Sequence, residues 1–189
     1  ISCLANALFY VQKDNKGNPL IQQFIPNAKN DVPSIKQMKE IIISAIDLDK
    51  FIKYQNGDLI TSFADPELEV HIDDYKGTKL YKKISKTSET NIGEEFIIKV
   101  AQSFEKFKLF LRDPKIIIDY TYLWDLICDD EEGSLFQNGI NLVILRSMCD
   151  DTTCNVEIIC PTNPYSKNLF NSNKSTLIIY TETKHNYNY

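Results

Sequence analysis

The hydrophobic pattern of this chain changes period late in its length, and that change constrains the fold more than any other feature. Ile35, Met38, Ile41, Ile42, Ala45 and Ile46 recur three and four residues apart, the spacing of one helix face. Ser34 with Gln37 three residues on forms a capping box that predicts where this helix starts. Phe96, Ile97, Val100, Ala101, Phe104 and Leu111 draw a second helix face, opened by a cap pattern at Asn91 and Glu94 and ended at Asp113-Pro114. Beyond this point the apolar runs become short. Ile140 to Leu145 is continuously apolar, as in a central strand buried on both faces. Asn155 to Cys160, stopped by Pro161, reads as a second strand and Thr176 to Thr181 as a third. A turn at Glu182 to Lys184 then leads into a returning strand from His185 to Tyr189. Helices first and strands after predict an α+β domain, with N-terminal helices packed on a C-terminal, mostly antiparallel sheet.

The remaining segments fill in this frame. Leu4, Ala7, Leu8 and Val11 have helical spacing within residues 3–12. Asp49 is placed to cap a short helix from Lys50 to Gln55, closed by Asn56-Gly57. Residues 65–90 are broken by Asp65-Pro66, Asp73-Asp74 and Lys76-Gly77, and Leu68 to Ile72 alternates like a half-exposed strand. This stretch reads as a peripheral insertion or hairpin in a single domain spanning 1–189, with Lys79, Lys82, Lys83 and Lys86 as its solvated charge. A short helix from Tyr122 to Cys128 carries Trp124 and ends in an acidic turn, Asp129 to Gly133.

A chain of 189 residues with 43% hydrophobic content, 10 Phe and 10 Tyr can bury a sizeable core. No apolar run approaches the roughly 18–20 residues of a membrane span, and the start is unlike a signal peptide. The net charge of −5 argues against a general nucleic-acid surface. The five cysteines, Cys3, Cys128, Cys149, Cys154 and Cys160, are an odd set for a disulfide framework. They point to a reducing, intracellular compartment. The chain has no initiator Met and ends inside a strand-like pattern, so a piece of a longer protein is expected.

Two residues point to chemistry. Cys3 stands where a helix begins, and a helix N-terminus with a nearby imidazole lowers a thiol's pKa and makes it a nucleophile. His185 follows the last strand and is the candidate base. Each has a plainer reading: Cys3 as a buried helix residue beside Ala7, and His185 as an exposed hairpin residue. His71 is a second, lower-ranked base. Cys149, Cys154 and Cys160 are spaced C-x4-C and C-x5-C without a local fourth ligand, unlike a closed zinc site. The acids at Asp129 to Glu132 and at Asp150-Asp151 read as solvated turns and do not match a calcium loop, and no phosphate loop, G-x-S-x-G or H-E-x-x-H is present. No metal or other cofactor is expected.

Cys3-Leu4-Ala5-Asn6-Ala7 resembles the cysteine box of the ovarian-tumour (OTU) family of cysteine peptidases, which have a papain-like fold. The helix from Ser34, the step from Trp124 to Leu126 into Gly139 to Leu145, and the segment Leu177 to Tyr189 are similar to that family in order. The Ile/Lys/Asn bias and the segment Asn155 to Tyr165 also look like proteins of large DNA viruses. The resemblance implies isopeptide hydrolysis on ubiquitin-type substrates, with Cys3 as nucleophile and His185 as base. Ile1-Ser2 replaces the Gly-Asn that precedes the family's cysteine. Tyr187 stands where an Asp or Asn orients the histidine, leaving Asn188 as the orienting candidate. On a strand Asn188 would face away from His185 unless a bulge intervenes. These departures keep a second expectation open: an inactive interaction or structural module on the same fold, with ubiquitin, a viral particle or a transcription assembly as protein partner.

Overall fold

A computed structural model describes residues 32–87, 90–131, 134–136, 139–149, 154–160 and 169–184. Its described residues form six α-helices, interspersed with 3-10 turns, followed by one three-stranded sheet. The α+β order therefore holds. None of the described helices is long and apolar enough to cross a membrane.

Helix α1 (Ile35–Ser44) starts at the predicted capping box. The Gln37 amide donates to Ser34 Oγ at 3.3 Å, and the Ser34 amide donates to Gln37 Oε1 at 2.9 Å. Met38, Ile41 and Ile42 are buried on one face, while Ile35 remains exposed. Lys39 is buried with them, and its ammonium donates to the carbonyls of Asp113 at 2.6 Å and Ile116 at 3.3 Å. Those two bonds replace the water a buried cation would otherwise require.

Helix α2 (Leu48–Phe51) is capped by Asp47 instead of Asp49, with the Lys50 amide donating to Asp47 Oδ1 at 2.8 Å. Asp49 instead accepts from the Lys79 and Leu80 amides at 2.8 and 2.9 Å, the first turn of α4 (Lys79–Thr87). A carboxylate is favoured at either helix start, because orphan amides and the helix dipole present positive charge there. Spacing alone therefore did not choose between the two aspartates. A 3-10 turn at Tyr54–Gly57 leads to α3 (Asp58–Ser62).

The region after Asp65 forms no strand at Leu68 to Ile72. It contains a 3-10 turn at Ile72–Tyr75 and then α4. Tyr75 is buried, and its hydroxyl donates to Glu105 at 2.6 Å. That bond ties the segment to α5 (Thr90–Arg112), a helix of 23 residues that already includes Asn91 in its helical backbone. The cap expected at Asn91 is therefore not the start of this helix.

Helix α5 carries Ile97, Val100, Ala101, Phe104, Phe107 and Leu111 into the core, with Phe96 left exposed. Phe51 packs on Phe104 and Phe107 with ring centroids 5.3 and 5.5 Å apart, and Phe63 meets Phe107 edge-on at 4.9 Å. Burying rings of this size supplies much of a small core's stability. A 3-10 turn at Tyr120–Tyr122 follows, and then α6 (Trp124–Cys128), every residue of which is buried.

The strands are β1 (Asn141–Cys149), β2 (Cys154–Ile159) and β3 (Thr176–Lys184). They lie in the order β2-β1-β3, with β1 antiparallel to β2 and parallel to β3. The sheet is therefore mixed, not mostly antiparallel. The strand continues through Glu182 to Lys184, where a turn was predicted, because these residues stay paired with Ser147 to Cys149. Leu142 and Ile144 are buried against the helices, with Ile159, Leu177 and Ile179 packed around them. The opposite face is more open: Val143 and Leu145 are half-buried, while Val156, Ile158, Ile178 and Tyr180 are exposed. The central strand is thus covered over Leu142 and Ile144 on one face and only partly covered on the other, where Asn141 and Ser147 are buried but Val143 and Leu145 are half-buried.

Gly139 makes the entry to β1 possible. Its φ is +63°, and a Cβ there would lie 2.5 Å from the Cys128 carbonyl oxygen and 2.8 Å from that of Asp129. Gly139→Ala should destabilise the fold by well over ~1 kcal/mol, since both the backbone angle and the contact oppose a side chain. Thermal unfolding should show a fall of roughly 2–4 °C for each kcal/mol lost. An unchanged melting temperature would refute this account of the turn. Phe107→Ala should cost ~3–5 kcal/mol, measurable by urea unfolding.

Candidate functional site

A cluster of charged and polar side chains lies where α6 ends. It begins with the left-handed turn after α2. Gln55 and Asn56 have φ of 47° and 55°, and Gly57 follows at 94°. This bend lets the Gln55 amide donate to Asp125 Oδ2 at 2.7 Å, while its side-chain amide donates to the Thr121 carbonyl at 2.9 Å. Tyr54 and Lys50 are thereby held against the C-terminal end of α6. Asp125 and Asp129 are four residues apart on one side of that helix turn.

A cleft of about 140 Å³ opens here, lined by Lys50, Lys53, Tyr54, Asp125 and the run Asp129 to Glu131. Its charges are mostly matched. Lys53 Nζ lies 2.6 Å from Glu131 Oε1, in an exposed pair. Lys174, just before β3, lies 3.0 Å from Asp130 Oδ2 and donates to the Cys128 carbonyl at 2.8 Å. Lys50 Nζ and Asp129 Oδ2 are both buried and 3.6 Å apart, an ion pair longer than a hydrogen bond. Asp129 Oδ1 accepts from the Glu131 amide at 3.1 Å. Two oxygens in the cleft wall have no hydrogen-bond partner among the described residues: Asp129 Oδ2 and the hydroxyl of Tyr54.

The electrostatics follow from this arrangement. Burial pushes the Tyr54 phenol well above its ordinary range, and the carboxylates of Asp129, Asp125, Asp47 and Glu131 push it further. Tyr54 is therefore a neutral hydroxyl at physiological pH. The hydrogen bond from Lys53 holds Glu131 below the usual carboxylate range, and the bond from Lys174 does the same for Asp130. Burial raises the Cys128 thiol to about 11, so it is an inert core thiol and not a nucleophile.

Cys3, His185 and Asn188 lie outside the described residues. His71 is described and is exposed at the start of the Ile72–Tyr75 turn, remote in sequence from the cleft residues. Cys149 and Cys154 are paired across β1 and β2 by their backbones, and Cys160 is exposed beyond β2. No group of three or more His, Cys, Asp or Glu side chains suited to a metal occurs among the described residues. The acids from Asp129, expected to form a solvated turn, instead include a buried aspartate. The available signal was the i, i+4 spacing of Asp125 and Asp129. It gives no hint of Lys50 and Tyr54, which fold onto it from far along the chain. Comparison with protein-family models, curated proteins and solved structures finds no match.

Removing one member of the buried pair should cost far more than removing one of the exposed pair. Lys50→Met should lose ~3–5 kcal/mol, because it strands Asp129 in the protein interior. Lys53→Met should lose no more than ~1 kcal/mol, because its partner remains solvated. Urea unfolding of the two variants checks the contrast, and equal losses would contradict it. Asp130 and Glu131 have depressed folded-state pKa values, so their contribution is complete above the unfolded carboxylate range of about 4 and disappears on acidification. The urea midpoint should fall as pH drops below about 5, and the fall should be shallower in Lys174→Met.

Proposed function

We propose that the chain is an OTU-like cysteine peptidase domain acting on ubiquitin-type isopeptide bonds, with Cys3 as nucleophile and His185 as general base. The observation that supports this reading is the course of β3. It lies parallel to the central strand, and Lys184 pairs with Cys149 at the carboxyl ends of both strands. Such ends are where binding and reacting groups collect in open parallel sheets. His185 is the next residue. The succession of the buried helix α6, the central strand and β3 is similar in order to what the resemblance implies, but β3 continues through Glu182 to Lys184, where the resemblance implies a turn. In this reaction His185 takes the thiol proton, and the Cys3 thiolate attacks the isopeptide carbonyl. The protonated imidazole then passes its proton to the leaving lysine amine, and water releases the acyl group from sulfur.

One observation favours a second reading, a non-enzymatic module on the same scaffold. Val156, Ile158, Ile178 and Tyr180 expose a band of apolar surface on the outer side of the sheet. A band of this kind is a feature of surfaces that meet other proteins.

A ubiquitin-based electrophilic probe separates the two readings. The peptidase reading expects a covalent adduct that Cys3→Ala abolishes and that forms at least about 100-fold more slowly in His185→Ala. A chain with an alkylatable Cys3 that forms no adduct would overturn the peptidase reading and leave the module.

A further inference from the structure

We propose that the free edge of β3 is a self-association surface, on which a second copy of this chain pairs antiparallel through its own β3. The two three-stranded sheets then join into one, the order β2-β1-β3 continuing into the partner's β3-β1-β2. The inference rests on the edge of the sheet and holds whether or not Cys3 reacts.

Three observations carry it. The first is a row of unused backbone groups. β3 runs for nine residues at the rim of the sheet, and no described residue pairs with it on the side away from β1. The Asn141 amide donates to the Ser175 carbonyl at 2.8 Å, which fixes the phase of the parallel ladder. Leu177, Ile179 and Thr181 therefore turn their amides and carbonyls toward β1, and Thr176, Ile178, Tyr180 and Glu182 turn theirs outward. Thr176 to Thr181 carries no charge, proline or glycine to block a further strand. The second is apolar exposure along the same edge: Ile178 is 61% exposed and Tyr180 62%. The third is self-complementarity. Residues directly opposite in an antiparallel pair share a face. A two-fold axis at Ile179 sets Ile178 opposite the partner's Tyr180 and Tyr180 opposite the partner's Ile178. Ile179 then meets the partner's Ile179, and Leu177 meets the partner's Thr181. Sliding the axis by one residue loses the match, setting Ile178 opposite the partner's Glu182 or Tyr180 opposite the partner's Thr176.

A second copy is the occupant this pattern selects, because the match is symmetric about one residue, as a two-fold contact requires. The other edge, β2, also exposes Val156 and Ile158. The equivalent self-pairing of β2 brings Glu157 against the partner's Glu157, a like-charge pair. A β3-to-β2 contact is head-to-tail and leaves one edge of each kind free, so it propagates and does not close. The contact proposed is one strand edge with its flanking side chains, at the small end of interface sizes. The dimer should therefore exchange reversibly with monomer.

The experiment is sedimentation velocity of the whole 189-residue chain from about 1 μM to about 1 mM, joined to amide hydrogen exchange at the two ends of that range. The expected result is a monomer that gives way to a dimer, and to no larger species, as concentration rises. In the dimer the amides of Ile178, Tyr180 and Glu182 should gain at least about tenfold protection. Those of Leu177, Ile179 and Thr181, already bonded to β1, should gain far less. Tyr180→Lys and Ile178→Lys should each weaken association at least about tenfold, because a lysine on an edge opposes strand addition. Both side chains are exposed, so both variants should fold, and unchanged circular dichroism checks this. Val156→Lys, on β2, should leave the dimer intact. A single monomeric species throughout, growth into larger species, protection gained equally by both sets of amides, or dissociation by Val156→Lys and not by Tyr180→Lys would each overturn the proposal.

Discussion

The C-terminal end of α6 is the point on which the helical and sheet halves of the structure depend. The Cys128 carbonyl accepts the Lys174 ammonium, and Gly139 passes within contact of the Cys128 and Asp129 carbonyls. The Ile140 amide then donates to the Ile127 carbonyl at 3.2 Å, so β1 leaves directly from the helix it packs against. Asn141, the first residue of β1, is buried. Its side chain donates to the Asn171 carbonyl at 2.7 Å and accepts from the Asn171 amide at 2.9 Å. These contacts bring the segment before β3 alongside the start of β1. They select the parallel pairing of β3, which no local turn could impose.

The same junction explains why charge accumulates there. Helix carbonyls at a C-terminus carry partial negative charge and attract lysine, which Lys174 supplies. Asp129 and Asp130 add full negative charge beside them, and Lys50 and Lys53 approach from the turn after α2. Salt bridges half in water contribute little to stability, whereas the buried Lys50–Asp129 pair must stay intact because each charge needs the other. A structural joint and a polar cleft thus share the same residues.

Much of the fold was legible in the sequence wherever a single periodicity decided the outcome. The Ser34 cap, the apolar face of α1, the buried positions of α5 and the centrality of β1 all follow from spacing. The reading failed where two local solutions were nearly equal. Asp47 and Asp49 are both good caps, and only the approach of α4 assigns them. Asn91 resembles a cap but lies within a helix that begins before it. Leu68 to Ile72 alternates like a strand, but no neighbouring strand accepts it, and the chain packs on α5 instead. The acidic run after Cys128 looked solvated because acids in turns generally are. Its burial depends on lysines distant in sequence.

The sequence by itself determined the class of the domain and the positions of its main helix and strands. Those properties depend on hydrophobic period, which is local. Only the tertiary structure decided that β3 runs parallel to β1, that one face of the sheet remains open, and that Tyr54 and Asp129 meet in one cleft. Each of these depends on contacts between residues far apart in the chain. Such contacts arise from packing and the satisfaction of buried polar groups, and neither leaves a periodic trace in the sequence.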